Sequence, residues 1–212
     1  MVDNNSVINQ KLISVERAAS DLRRGGMVLI TDSDQSLLVT SAELIIDQRL
    51  DEFKKVSSSE PLVGLTYNRA NILKISPRSG DVALVKISDY MDSAVIASMA
   101  DPADDLINIM QGPFQVADVM TSNIHCAGIN LCKIAKLLPA AIFSEAPANA
   151  CDWADKNNIL CVSANDILGH TLNEALSLEI ITSAKVPLEG AEEATMIAFR
   201  PADGGTEHFA II

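Results

Sequence analysis

The sequence is short of basic side chains, and it has no long apolar run. Its 16 Lys and Arg stand against 28 Asp and Glu, a formal net charge of -12. Such a surface repels nucleic-acid phosphates and anionic lipid headgroups, so neither is expected as the main partner. Apolar stretches such as residues 137–143 fall far below the roughly 20 residues that a membrane-spanning helix needs. The opening Met1-Val2-Asp3-Asn4-Asn5-Ser6 has neither the basic start nor the apolar centre of a secretion signal, which points to the cytoplasm. Four cysteines (Cys126, Cys132, Cys151, Cys161) include no C-x-x-C pair and have no zinc-knuckle histidine. They are expected to be reduced, mostly buried thiols. A Gly-rich phosphate loop, an internal repeat and a low-complexity tract are all missing as well.

What is present is the composition of a packed protein: 48% hydrophobic and 21% charged, over 212 residues. That excludes a disordered chain and leaves ample material for a core. Ser14 is a candidate cap for a helix in which Val15, Ala18, Ala19 and Leu22 form one apolar stripe, stopped by Gly25-Gly26. Met27-Val28-Leu29-Ile30 reads as a strand covered on both faces. Asp32-Ser33-Asp34-Gln35 is a turn, and Leu37-Leu38-Val39 is a second strand. A helix is expected over 42–55, strands over 62–66 and 82–87, and a short helix from Asn68 between them.

Helical stretches flank the proline break at Asp101-Pro102. Residues 123–136 are amphipathic, and 139–143 read as a central strand. Pro147 suits the first turn of a helix. A strand over 159–162 is followed by Ser163-x-x-Asp166, which resembles a capping box. The alternation predicts an α/β (α+β) domain, a three-layer α/β/α sandwich on a mixed sheet. Past Ser177 the rhythm turns to β, around 185–188, 195–199 and 208–212, in a segment too short for its own core. Trp153, Phe143 and the methionines are expected in the core, and the acidic surface is expected to serve solvation.

Three blocks together resemble 3,4-dihydroxy-2-butanone 4-phosphate synthase, a riboflavin-pathway enzyme. They are Val15-Glu16-Arg17-Ala18 through Ile30, Asn130-Leu131 through Glu145, and Ala154-Asp155-Lys156 through Leu168. The resemblance covers roughly residues 12–175. In the tail, Ser183-Ala184-Lys185-Val186-Pro187, Ile197-Ala198-Phe199-Arg200 and Gly205 to Ala210 resemble the start of GTP cyclohydrolase II, which in many bacteria is fused behind the synthase. The implied organisation is an N-terminal arm (1–11), a synthase-like domain (12–176) and the beginning of a β module (177–212).

The resemblance implies a Mg-dependent lyase acting on ribulose 5-phosphate, and a homodimer with its active site at the subunit boundary. The reaction begins by removing a proton beside a carbonyl, and a hard divalent cation stabilises the enediolate. The family's acidic loop, Arg-Glu-Asn-Glu-Gly-Asp, here reads Asp32-Ser33-Asp34 and then Gln35-Ser36-Leu37-Leu38-Val39-Thr40. Its Gly-His-Thr-Glu-Ala aligns with Asn123-Ile124-His125-Cys126-Ala127, so the metal-binding His falls on Ile124 and the Glu on Cys126. A one-residue slip would bring His125 into play. The phosphate-gripping Arg-Pro-Gly-His falls near Met110-Gln111-Gly112-Pro113, and the Asp-Arg pair on Asp92-Ser93.

The surviving candidates are therefore Asp32, Asp34, His125 and Glu145, with no metal or cofactor site expected among them. Asp32 and Asp34 read either as turn formers or as a vestigial metal site. His125 reads as a structural histidine or a ligand, and Glu145 as a pocket residue or a cap. His170 and His208 are assigned structural roles. Losing an acid or base alone costs about 10²–10⁴ in rate, so losing several groups predicts no lyase activity. The expected function is a noncatalytic, dimerising scaffold or regulatory domain. The alternatives are the N-terminal portion of a GTP cyclohydrolase II protein, whose complete module would bind Zn, and an active synthase with a rearranged Mg site.

Overall fold

The computed structural model describes residues 4–33, 35–76, 80–106, 112–201 and 204–212. The chain groups into two compact units, Val15–Leu168 and a second made of Met1–Ser14 with Gly169–Ile212.

The Val15–Leu168 unit is built on a six-stranded sheet in the order β4-β3-β5-β2-β1-β6. The strands are β1 (Met27–Thr31), β2 (Ser36–Ser41), β3 (Leu62–Thr66), β4 (Val82–Lys86), β5 (Ala140–Glu145) and β6 (Cys161–Ser163). Four of the five strand pairings are antiparallel, while β6 lies parallel to β1. The expected mixed sheet is thus present. Period-two alternation sends Val28, Ile30, Val39 and Phe143 to one face and Leu29, Leu38, Val63 and Ile142 to the other.

The first face is covered by the C-terminal part of α1 (Asn4–Arg23), by α5 (Asn123–Ile134) and by α7 (Ala164–Leu168). The second is covered by α2 (Asp47–Val56), α3 (Tyr67–Ile72), α4 (Ser93–Ala100) and α6 (Ala150–Lys156). This is the three-layer α/β/α sandwich that the alternation of elements called for.

Close approach of α5 to the sheet depends on two glycines. A Cβ on Gly64 of β3 would lie 2.9 Å from Cδ2 of Phe143 and closer still to Cε2. One on Gly128 of α5 would lie 2.8 Å from Cζ of the same ring and closer still to Cε1. The Phe143 ring therefore fills the space that two absent side chains leave open.

Arg69 organises the other face. Its guanidinium donates to the carbonyls of Met99 (2.7 Å), Ser98 (3.1 Å) and Asp101 (3.0 Å) and forks onto both oxygens of Asp105. It thereby satisfies carbonyls that the end of α4 leaves without helical partners. The proline break after Asp101 passes straight into a short 3-10 turn, Pro102–Leu106, that carries Asp105.

The second unit contains α8 (His170–Leu176) and a three-stranded antiparallel sheet of β7 (Glu179–Lys185), β8 (Thr195–Arg200) and β9 (His208–Ile211). Every residue of β7 is exposed.

Several boundaries differ from the sequence expectation. Helix α1 starts at Asn4, so Ser14 lies inside it; the spacing Ile8, Leu12, Val15, Ala19, Leu22 carries the helical period back past that serine. Residues 42–46 precede α2 instead of belonging to it, because the Ala42 N–H donates to the Ala140 carbonyl and prolongs the strand pairing. Pro147 stands ahead of α6, which begins at Ala150. The β segment expected near 185–188 is β7 at Glu179–Lys185; Pro187 lacks the N–H a ladder needs, and Leu188 forms only an isolated bridge with Ala191. Among the described residues, no helix is long and apolar enough to cross a membrane.

Gly64→Ala and Gly128→Ala are each expected to lower stability by about 1–3 kcal/mol in urea unfolding, through overpacking against Phe143. At Gly128 this must outweigh the roughly 1 kcal/mol that Ala gains over Gly in a helix interior. A stabilised Gly128→Ala protein would show that the ring yields freely.

Candidate functional site

A cavity of about 680 Å³ opens where β2, β5 and the segments around Ser59 and Asp118 meet. Its apolar side includes Leu37, Leu62 and Phe143; its polar side includes Lys86, Asp118, His125 and Glu145. Strand pairing places Leu37 directly opposite Glu145, so both side chains rise on one face of the sheet. The Glu145 backbone is fixed independently of its carboxylate: its N–H donates to Ser59 Oγ at 3.0 Å, and its carbonyl accepts from the Ser58 N–H at 3.0 Å.

His125 sits in the first turn of α5, where a Glu or Gln would ordinarily reach back to the N-cap. The Ser122 N–H donates to its Nδ1 at 3.2 Å, and the Ser122 hydroxyl lies 3.2 Å from the same nitrogen. Its ring stands 5.2 Å from that of Phe143, tilted by 58°. Only 5% of the residue is exposed. Burial pushes the imidazole below its ordinary pKa, and the Ser122 N–H donated to Nδ1 also favours the neutral ring. The ring therefore favours its neutral form at pH 7, with Nδ1 engaged by Ser122.

The structure brings two of the four sequence candidates together. Glu145 and His125 both line the cavity. Asp32 does not line it; its Oδ1 accepts the Ser33 N–H at 2.8 Å, and its own N–H donates to the Gln35 carbonyl, as in a turn aspartate. Asp34 lies outside the described residues, as do Met110 and Gln111. Ile124 is fully buried in the core, so it is His125, one position along the helix, that faces the cavity. Asp92 caps α4 by accepting the Val95 N–H at 2.9 Å.

Lys86, Ser59, Ser144 and Asp118 had no motif to mark them. Lys86 is the last residue of β4, paired with Leu62, and alternation along that strand is the one signal that would have placed it. Not all methionines are core, contrary to expectation: Met120 is 81% exposed at the cavity rim. His170 is buried and His208 is exposed on β9. The cysteines divide evenly, with Cys132 buried, Cys126 half-buried, and Cys151 and Cys161 exposed, against the expectation of mostly buried thiols.

No family model matches the chain. GTP cyclohydrolase-2 of Azospirillum brasilense is 30% identical over 203 residues, which is 94% of this chain and 53% of the relative. The chain thus spans about half the length of that curated relative. A two-domain 3,4-dihydroxy-2-butanone 4-phosphate synthase from A. baumannii superposes with a TM-score of 0.62 at 15% identity, covering 93% of this chain and 69% of that one. A cation-free 3,4-dihydroxy-2-butanone 4-phosphate synthase gives 0.61 at 16% identity, covering 76% and 98%. A form of that synthase fold in complex with two magnesium ions gives 0.60 at 16% identity, covering 74% and 95%. The fold is dihydroxybutanone phosphate synthase-like.

The synthase-like fold raises the question of a magnesium site, and the described residues form no dedicated cluster of three ligands for one. Mg²⁺ asks for near-octahedral oxygen coordination, usually including one or two carboxylates. Among the described residues, no three His, Cys, Asp or Glu side chains stand close enough together to hold an ion. Leu37, directly opposite Glu145, offers no oxygen to the cavity.

In an NMR titration the His125 ring protons are expected to show a midpoint below the ordinary value of 6.5. A depressed folded-state pKa means that the stability tied to the neutral ring is complete above pH 6.5 and is lost as pH falls through the folded value. His125→Gln, which keeps an acceptor near the Ser122 N–H, is expected to remove that component of the pH dependence. A midpoint at or above 6.5 would contradict the burial argument.

Proposed function

We propose that this chain is a noncatalytic, synthase-like module working in riboflavin biosynthesis as a dimerising scaffold or regulator for a GTP cyclohydrolase II module of the same parent protein. The observation that carries the reading is the pairing of Leu37 with Glu145 in the cavity. By the resemblance to the synthase, Leu37 falls where that family carries an acidic loop, and leucine supplies neither an oxygen ligand nor a base. His125, engaged at Nδ1 by Ser122, adds no anionic ligand of its own. The similarity to a cyclohydrolase-2 about twice as long supports the placement beside such a module.

Dimerisation is part of the proposal. Val119 and Met120, 49% and 81% exposed, stand at the rim of the cavity, and a second copy would cover them. The cytoplasm is the proposed compartment, in line with the excess of acidic over basic side chains.

A second reading, an active synthase with a rearranged site, draws on one observation: Glu145 and His125 line the same cavity. Formate release from ribulose 5-phosphate with Mg²⁺, followed by proton NMR, separates the two. The expected result is no formate above the enzyme-free control, and turnover that Glu145→Gln abolishes would establish the second reading. Light scattering at micromolar concentration is expected to give twice the chain mass, and a monomer would overturn the scaffold role.

A further inference from the structure

We propose that Cys151 and Cys161 form a reversible intramolecular disulfide that pins α6 to β6 beside the cavity. Their sulfurs lie 3.4 Å apart, in van der Waals contact, and both residues are exposed. Bond formation closes this separation to about 2.05 Å and turns the Cβ–S–S–Cβ dihedral to near ±90°. Cys151 is the second residue of α6 and Cys161 the first of β6, and neither position demands a change of secondary structure to meet the other.

The remaining two cysteines provide the contrast. Cys132 is fully buried, with its thiol pushed up to about 12 by burial, and Cys126 is half-buried with its thiol also raised. No sulfur contact joins either of them to another cysteine among the described residues.

The oxidant class is a low-molecular-weight disulfide. The Cys151 thiolate attacks one of its sulfurs, displaces one small thiolate and leaves a mixed disulfide on Cys151. Cys161 gives its proton to solvent and attacks the Cys151 sulfur, which displaces the second small thiolate. Two protein thiols are oxidised and one small disulfide is reduced to two thiols. Burial and the adjacent Cys151 push the Cys161 thiol up to about 11, which suits it to the second, intramolecular step. Cys161 then acts within the molecule, already at contact distance, where proximity offsets a small thiolate fraction.

The bond would act on the cavity through neighbours in sequence. Asn149 and Ala150, immediately before Cys151, line the cavity, and Asn149 holds a left-handed conformation (φ 54°) at the start of α6. Trp153, the single tryptophan of the sequence, lies two residues beyond Cys151 and packs partly buried against the core. Its emission reports on α6 in either redox state.

The test is to equilibrate the full chain in glutathione buffers from reducing to oxidising, alkylate it, and measure intact and peptide masses. Two of the four thiols are expected to disappear together as a 151–161 bridge that dithiothreitol reverses. The bridge should be lost in both Cys151→Ser and Cys161→Ser and kept in Cys126→Ser. Trp153 emission should shift with bridging in the wild type and stay constant in the two serine variants. Four alkylatable thiols at every buffer ratio, or glutathione adducts without a bridge, would overturn the proposal. A bridge with unchanged Trp153 emission would overturn its coupling to α6.

Discussion

The Phe143 ring sets how closely the first helical layer can approach the sheet. It projects from β5, with β2 and β3 on either side, and it occupies space that Gly64 below and Gly128 above leave vacant. Interiors packed to crystal-like density allow such a ring only where facing positions are small. The same ring forms part of the cavity floor and meets His125 in a tilted aromatic contact. Core packing and cavity shape are therefore one constraint: a change that moves Phe143 moves both.

The chemical character of the cavity follows from register. On adjacent antiparallel strands, directly opposed residues share a face, so Leu37 and Glu145 are presented together. A one-residue slip in β2 would turn Leu37 away and bring Ser36 or Leu38 into its place, but Leu38 belongs to the core of the opposite face. Register is thus locked by the two apolar cores, and the aliphatic floor of the cavity is locked with it. His125 is held in the same indirect way. Its capping contact with Ser122 fixes the ring, Ile124 beside it is drawn into the core, and the helical step between them decides which of the two faces the cavity.

Much of the Val15–Leu168 unit was legible because its strands are short and apolar and its helices carry one clear stripe. β1, β3 and β4 fall within a residue of their expected limits, and Gly25, with φ 71°, lies just past the end of α1 as glycine at a helix end should. The failures share a physical cause. Ser14 offered a good cap but not a necessary one, since the apolar spacing continues through it. Residues 42–46 carry a helical pattern, yet backbone pairing with Ala140 claims Ala42 first. In the tail, the strands were recognised but the first was misplaced, because solvent-exposed β7 lacks the burial that makes alternation readable.

Sequence alone determined the layered α/β architecture and the excess of acidic charge, because these rest on local periodicity and on side-chain chemistry. It also marked Glu145 and His125 as candidates. Only the tertiary structure decided that these two share a cavity from which Asp32 is excluded. It alone added Lys86 and Asp118 to that cavity. It also brought Cys151 and Cys161 into contact across the α6–β6 connection. Each of these is a meeting of side chains from separate elements, fixed by strand order, register and helix placement, and no spacing along the chain encodes such a distance.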